Sequence, residues 1–491
     1  MSDPLILVLD EGTTSTRAML LTPAGELRGT AQRELTQHYP RPGWVEHDAG
    51  EIWDRTLACA REMVERAGGA ERIACIGVTN QRETVVAWDK VSGEPLARAI
   101  VWQDRRTAPF CEALREAGHE ATVREATGLL LDPYFSATKM RWLLDNDEAV
   151  RGAAERGTLA FGTIESWLVF KLTAGVSHVT DVSNASRTML MSLERGQWDR
   201  GLCDLFGIPR SALPEIIENA GSFGETEDDR LGGAIAICGM AGDQQAATIG
   251  QGCLAAGETK ATYGTGAFIL ANTGRKIPRS DNRLLGTVLY QLGGERRYAL
   301  EGSVFVAGSL IQWLRDSLQM IVSAPESEAL ARSVPDNAGV VVVPALSGLG
   351  APHWRSDARA AITGLSFAAT RAHVVRAALE AISHQTHDLA TAFAADGARW
   401  TQLRIDGGMS ANDWLAQDIA DVLRLPVVRP DFVETTALGA AMLAAVGAGL
   451  HPSLEAAAAA MTGGTRRFDP AMNEDARAAR LAAWDKALAA V

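Results

Sequence analysis

No Walker A loop, G-x-x-x-x-G-K-[ST], occurs anywhere in the 491 residues, so the commonest phosphate cradle is excluded. The dinucleotide fingerprint G-x-G-x-x-[GA] is matched only by Gly250-Gln251-Gly252-Cys253-Leu254-Ala255. That stretch follows a helix-like segment instead of a strand, which disqualifies it. Basic charge is scarce: Lys+Arg 47 stand against Asp+Glu 60, a formal charge of -13. Such a balance repels nucleic acid and anionic membranes, so neither is expected as a partner, and a phosphate ligand must be held by local geometry. The six cysteines (Cys59, Cys75, Cys111, Cys203, Cys238 and Cys253) form no C-x-x-C pair, and six buried thiols in a reducing compartment are expected. Long apolar runs are also missing. The run from Leu5 stops at Asp10, and 439–450 is too short and too rich in Gly and Ala for the ~20 residues a membrane helix needs. Met1-Ser2-Asp3-Pro4 lacks the basic start of an export signal. The expectation is a cytoplasmic protein without membrane insertion.

What is present is an ordinary globular composition, 47% hydrophobic and 22% charged, in a chain long enough for two or more cores. Two stretches share a design. Leu5-Ile6-Leu7-Val8-Leu9-Asp10-Glu11-Gly12-Thr13-Thr14-Ser15-Thr16-Arg17 and Lys260-Ala261-Thr262-Tyr263-Gly264-Thr265-Gly266-Ala267 each run from a β-leaning segment through a Gly/Thr turn into a second apolar run. Both read as β-hairpins. They predict two related α/β domains, 1–250 and 251–491. Strands are expected at 73–79, 340–343 and 403–405, and helices over 372–395 and 411–423, an alternation that indicates sheets covered by helices. The tail 454–491 reads as largely helix.

A Gly-Thr-Thr turn presents backbone N–H groups and hydroxyls to an anion, and Asp10 before it suits a divalent cation bridging phosphate oxygens. Alone, that turn is an ordinary hairpin; the second hairpin is what favours phosphate binding. Ile405-Asp406-Gly407-Gly408-Met409-Ser410-Ala411-Asn412-Asp413 adds a strand, a glycine turn and a helix start, with Ser410 and Asp413 placed as a capping pair. Adjacent glycines admit close approach of a ribose or α-phosphate. Four polar patches differ in kind: Asn80-Gln81-Arg82-Glu83-Thr84, Val101-Trp102-Gln103-Asp104, Asp132-Pro133-Tyr134-Phe135 and Gly242-Asp243-Gln244-Gln245. An Arg–Glu pair with an aromatic face suits a small polyhydroxylated ligand, although each patch singly would pass for a solvated loop. His384-x-x-His387 with Asp388 lies on an Ala-rich helix without a further ligand and reads as structural.

Together these motifs resemble the carbohydrate kinases of the sugar kinase, chaperone and actin superfamily, and among them the members acting on glycerol. The resemblance rests on Asp10 to Ser15, Asn80 to Thr84, Val101 to Thr107, Gly242 to Ala247 and Tyr263 to Gly266. It extends through Tyr134 to Leu143 and the stretches at 362–365 and 377–380, so it covers nearly the whole chain. It implies two ribonuclease-H-like (actin-like ATPase) domains flanking a cleft, and transfer of the γ-phosphoryl of Mg-ATP to a terminal hydroxyl of glycerol. Carried over, Arg82, Glu83, Trp102, Tyr134, Asp243, Gln244 and Phe268 would form the glycerol site, with Asp243 as catalytic base. Thr13, Thr14, Ser15, Arg17, Thr265, Gly308, Gln312, Gly408 and Asn412 would hold the nucleotide, and Asp10 with Asp243 would hold Mg²⁺ through water. A homodimer or homotetramer is implied. Glu11 departs from the family's usual Gln and adds a charge beside the phosphate turn unless it points away or pairs with Arg17. The acidic segment 224–233 stands where some bacterial members carry a basic loop for fructose 1,6-bisphosphate, so that control is not expected. A kinase of another polyol or ketose, such as erythritol or xylulose, and an actin- or chaperone-like ATPase remain as alternatives.

Overall fold

The computed structural model describes residues 4–355 and 357–491; the reading of the N-terminus as free of an export signal rests on residues 1–3, which lie outside them. The first sheet comprises β1 (Leu5–Glu11), β2 (Ser15–Leu21), β3 (Leu27–Glu34), β4 (Ile73–Asn80) and β5 (Ile237–Gly242), in the order β5-β4-β1-β2-β3. The second comprises β6 (Glu258–Tyr263), β7 (Ala267–Gly274), β8 (Leu285–Leu292), β9 (Glu295–Val304), β10 (Gln402–Asp406), β11 (Val427–Pro430) and β12 (Thr465–Phe468), in the order β8-β9-β7-β6-β10-β11-β12. Both expected hairpins are present, with Glu11 opposite Thr16 and Tyr263 opposite Ala267. In each sheet the hairpin is joined by a third antiparallel strand on one side and by two parallel strands on the other. That repeated order is the ribonuclease-H-like arrangement; β8 and β12 extend the second copy at its two edges.

Six of the helices frame the site: α1 (Ala49–Ala67), α2 (Asp243–Gly250), α3 (Gly308–Asp316), α4 (Arg371–Ala395), α5 (Asp413–Leu423) and α6 (Thr435–Gly447). Strand β1 is apolar on both faces because both are covered, as is usual where parallel strands sit inside a sheet. Leu7 and Leu9 pack with Ile52, Ala60 and Met63 of α1, whereas Ile6 and Val8 pack with Ala437, Ala440 and Ala444 of α6. Helix α6 follows the last parallel strand of the second sheet, yet it lies on the first. It crosses α2 at backbone contact. A Cβ on Gly250 would stand 1.9 Å from the Thr435 carbonyl oxygen, and one on Gly439 would stand 1.9 Å from that of Ala246.

Two local expectations are corrected. Helix α5 is capped by Asn412, whose side chain accepts from the Leu415 N–H at 2.9 Å. Ser410 lies in a preceding 3-10 turn and donates to the Gly407 carbonyl at 2.7 Å, so it is not the cap. The tail 454–491 is not helix throughout, because β12 separates Leu454–Met461 from Glu474–Leu488. The charged Thr465-Arg466-Arg467 run hides an edge strand, since only Phe468 of β12 is buried. All six cysteines are free and buried. Among the described residues no helix is long and apolar enough to cross a membrane.

Candidate active site

Strands β1, β4 and β5 are parallel and end in register, with Glu11 beside Asn80 and Asn80 beside Gly242. The polar residues that follow each strand therefore gather at one edge, where open α/β sheets carry ligands. Side chains alternate across β1, so Asp10 shares the face of Ile6 and Val8 while Glu11 shares that of Leu7 and Leu9. Asp10 Oδ2 accepts from Arg17 Nη2 at 2.6 Å, directly across the hairpin, and Arg17 Nη1 donates to Glu434 Oε2 at 2.7 Å. Burial pushes the Asp10 carboxyl up and Glu434 adds to the push, with Arg17 opposing. Glu11 points the other way, toward α1, and accepts from Thr56 Oγ1 at 2.9 Å. Among the described residues it pairs with no arginine, and burial raises it to about 8, so it is protonated and neutral near pH 7. The extra charge suggested by the sequence does not reach the Gly12-Thr13-Thr14 turn.

The expected polyol residues are in mutual contact. Glu83 sits at the centre of a tight turn after β4, at φ 63, with the Thr84 N–H bonded to the Arg82 carbonyl at 2.8 Å. Arg82 directs Nε to Asp243 Oδ1 at 3.4 Å and Nη2 to the Tyr134 hydroxyl at 3.4 Å. Trp102 lies between Tyr134 and Phe268, with ring centroids 5.7 and 6.2 Å away in edge-on geometry. Its indole Nε1 donates to Thr13 Oγ1 at 2.9 Å, joining the aromatic wall to the turn of the first hairpin. Asp243 opens α2 with 31% of its side chain exposed. Burial raises its pKa, against the pull of Arg82 and Lys260.

Several partners had not been expected. Glu301 on β9 accepts from Arg82 Nη1 at 2.5 Å and Nη2 at 3.1 Å, and from Arg187 Nη2 at 2.9 Å. Arg187 Nε also donates to Glu83 Oε1 at 2.7 Å. Burial alone would raise Glu301, but Arg187 and Arg82 outweigh it and hold the carboxylate at about 2. Lys260 is fully buried on β6; its ammonium donates to Gln244 Oε1 at 2.6 Å and Thr262 Oγ1 at 2.8 Å. With the Gln244 oxygen engaged, its amide N–H groups are what remain for a ligand. Buried Lys139 donates to the main-chain oxygens of Tyr134 and Phe135, and burial lowers it to about 8. The signal available in the sequence was an isolated charge inside an apolar strand, as in Tyr298-Ala299-Leu300-Glu301.

The second hairpin is built for close approach. Gly308, at the start of α3, donates its N–H to the Gly264 carbonyl at 2.9 Å. A Cβ at Gly308 would lie 2.5 Å from that oxygen, one at Gly266 would lie 2.5 Å from the Val304 oxygen, and one at Gly407 would lie 2.6 Å from the Tyr263 oxygen. The Thr265 carbonyl accepts from the Ala307 and Ser309 N–H groups at 2.9 and 3.0 Å, and Thr265 and Gly408 are exposed. Gln312 is exposed farther along α3, and Asn412 uses its oxygen as a cap. Neither is hydrogen-bonded to the hairpin among the described residues. In the first hairpin Thr14 is exposed and Ser15 is half-buried, its carbonyl closing the turn with the Gly12 N–H at 3.0 Å. Among the described residues no cluster of three or more His, Cys, Asp or Glu is poised to hold a metal. His384 packs on the Trp484 ring at 5.2 Å. Asp10 and Asp243 are hard oxygen donors close enough to interact electrostatically. They suit a cation that keeps most of its water shell and takes its other ligands from phosphate.

The model of the N-terminal domain of the FGGY family of carbohydrate kinases matches residues 5–250, and that of its C-terminal domain matches residues 259–448. A glycerol kinase of Alcanivorax borkumensis is 54% identical over 490 residues, 99% of this chain and 98% of its own. One from Dechloromonas aromatica is 53% identical over 99% and 97% of the two chains. The crystal structure of Plasmodium falciparum glycerol kinase with ADP superposes with a TM-score of 0.94 at 36% identity, covering 99% and 98%. A xylulose kinase from Rhodospirillum rubrum superposes with a TM-score of 0.87 at 27% identity, covering 99% of each chain.

Proposed function

We propose that this chain, which belongs to the FGGY family of carbohydrate kinases, transfers the γ-phosphoryl group of ATP to a terminal hydroxyl of glycerol, giving sn-glycerol 3-phosphate. The observation that carries the reading is the 2.9 Å bond from Trp102 Nε1 to Thr13 Oγ1. It ties the wall of a polar–aromatic pocket to the turn read as facing phosphate, as transfer from nucleotide to a bound acceptor requires. Relatives named glycerol kinase, 53–54% identical over the full chain, favour glycerol as the acceptor.

Phosphoryl transfer is mostly a matter of positioning and charge stabilisation. Arg82, Glu83, Tyr134 and the amide of Gln244 bind the polyol hydroxyls, and the Trp102 and Phe268 rings cover its carbon-bound hydrogens. Asp243 takes the proton of the attacking hydroxyl as the new P–O bond forms and the bond from the γ-phosphorus to the β–γ bridging oxygen breaks, releasing ADP. Its raised pKa makes it the stronger acceptor for that proton. Thr13, Thr14, Ser15 and Arg17 face the transferred group. Thr265, Gly308 and Gly408 receive the rest of the nucleotide, with Gln312 and Asn412 at its margin. Asp10 and Asp243 would hold Mg²⁺ through water, and the ion would supply charge neutralisation on the phosphates when bound. A cytoplasmic homodimer or homotetramer completes the reading; light scattering after size exclusion measures the assembly.

The test is ADP release measured across glycerol, dihydroxyacetone, erythritol and xylulose. Release dependent on glycerol, with the highest kcat/KM of the set, is expected. Preference for another acceptor would move the activity to a different polyol kinase, a reading supported by the xylulose-kinase fold likeness. Release that ignores every acceptor would overturn the kinase reading.

A further inference from the structure

We infer that Glu301, contributed by the second sheet, is the positioning residue of the acceptor pocket: it orients Arg82 and, through Arg187, Glu83, without touching the substrate. This inference rests on the reading of Arg82 and Glu83 as polyol ligands. Glu301 is fully buried, and both of its oxygens are engaged by guanidinium groups. Oε2 accepts from Arg82 Nη1 at 2.5 Å, and Oε1 accepts from Arg82 Nη2 at 3.1 Å and from Arg187 Nη2 at 2.9 Å. Two-point contact of this kind fixes the plane of a guanidinium as well as its distance. With that plane fixed, Arg82 aims its Nε at Asp243 and its Nη2 edge at the Tyr134 hydroxyl.

The second arm works through Arg187, which is fully buried and sits near the Tyr134 and Phe135 rings at 5.7 and 5.3 Å. Arg187 joins Glu301 to Glu83 Oε1, so charges alternate along Glu83, Arg187, Glu301 and Arg82. Remove the Glu301 charge and two buried cations face each other; Arg82 is then drawn onto Asp243 and Glu83, its remaining carboxylate neighbours. Arg82 and Arg187 belong to the first half of the chain, whereas Glu301 lies on β9 beside β7, the strand that carries Phe268. The acceptor pocket is therefore complete only when the second sheet is seated against the first half.

Glu301→Gln keeps the shape and removes the charge. Glycerol KM is expected to rise at least tenfold while ATP KM and ADP affinity stay within twofold, with Glu301→Asp intermediate because it restores the carboxylate. A glycerol KM within twofold of wild type would overturn the inference. So would equal losses for glycerol and ATP together with a lowered Tm, the pattern of a purely structural residue. If Glu301→Gln does not fold, Glu301→Asp decides on the same split: a raised glycerol KM with unchanged ATP KM supports the role, and an unchanged glycerol KM ends it. Wild-type turnover on the acceptor panel is measured first. Should another polyol prove to be the substrate, the glycerol reading fails and the KM split is read on that polyol; should no acceptor be used, both readings fall.

Discussion

Arg17 Nη1 stands 2.7 Å from Glu434 Oε2, 417 residues farther along the chain, while its Nη2 stands 2.6 Å from Asp10 Oδ2. One guanidinium thus bridges the first hairpin and the residue that precedes α6. Its geometry is fixed before any phosphate arrives, which is the condition under which a charge stabilises a transition state most effectively.

Replacing Arg17 with Ala removes that charge and leaves two carboxylates facing one another. We expect kcat to fall about 10²-fold or more, in line with loss of one preorganised donor, with glycerol KM changed by only a few-fold. Steady-state kinetics with ATP and glycerol varied separately check this, and a wild-type kcat would remove Arg17 from the transition state.

Asp243→Asn retains the shape and the hydrogen bond from the Gln244 N–H but cannot take a proton. Turnover should drop by ~10²–10⁴, the range typical of general-base help, while ADP binding measured by calorimetry stays at the wild-type level. Turnover close to wild type would dismiss the carboxylate as base.

Glu11→Gln should leave ATP KM within about twofold, because the side chain points to Thr56 and away from the phosphate turn. Its effect belongs to stability. Burial raises the folded carboxyl from 4.5 to about 8, so between those values the folded state holds more protons than the unfolded one, and wild-type stability declines as pH rises. The glutamine variant lacks that decline. Its Tm advantage should be larger at pH 8 than at pH 5 by roughly 2 °C or more, and equal advantages at both would contradict the assignment.

His384 shows the opposite slope. Among the described residues neither ring nitrogen has a hydrogen-bond partner, and burial holds the imidazole neutral down to about 3. The unfolded chain binds the proton near 6.5, so stability falls as pH drops below that value. His384→Phe keeps an aromatic ring against Trp484 and cannot titrate. Thermal melts from pH 7 to pH 4 should show the wild type losing Tm relative to the variant, whereas parallel curves would rule this out.

The hairpins were legible because local propensity and turn chemistry suffice for them, and the meeting of Arg82 with Asp243 follows from parallel strands that end together; that Trp102, Tyr134 and Phe268 join them came from the resemblance and not from strand order. The direction of Glu11 could also have been read, since alternation along β1 opposes it to Asp10. The partners of Glu301, Arg187, Lys260 and Glu434 were not legible. An isolated charge in an apolar strand, as at Glu301, signals burial but does not name what it meets, and Glu301 meets Arg82 across 219 positions. The capping of α5 by Asn412 instead of Ser410 was missed because a glycine turn and a 3-10 segment precede the helix, and spacing alone does not separate the two candidates.

The contact of α2 with α6 reaches beyond packing. Gly250 and Gly439 leave room for no side chain between the helices, so a single methyl group at either position would act as a wedge. Asp243 is the first residue of α2, and Glu434 immediately precedes α6. The wedge would displace Asp243, the proposed proton acceptor, and the anchor of Arg17 together, so two positions that carry no reactive atom would govern the placement of both.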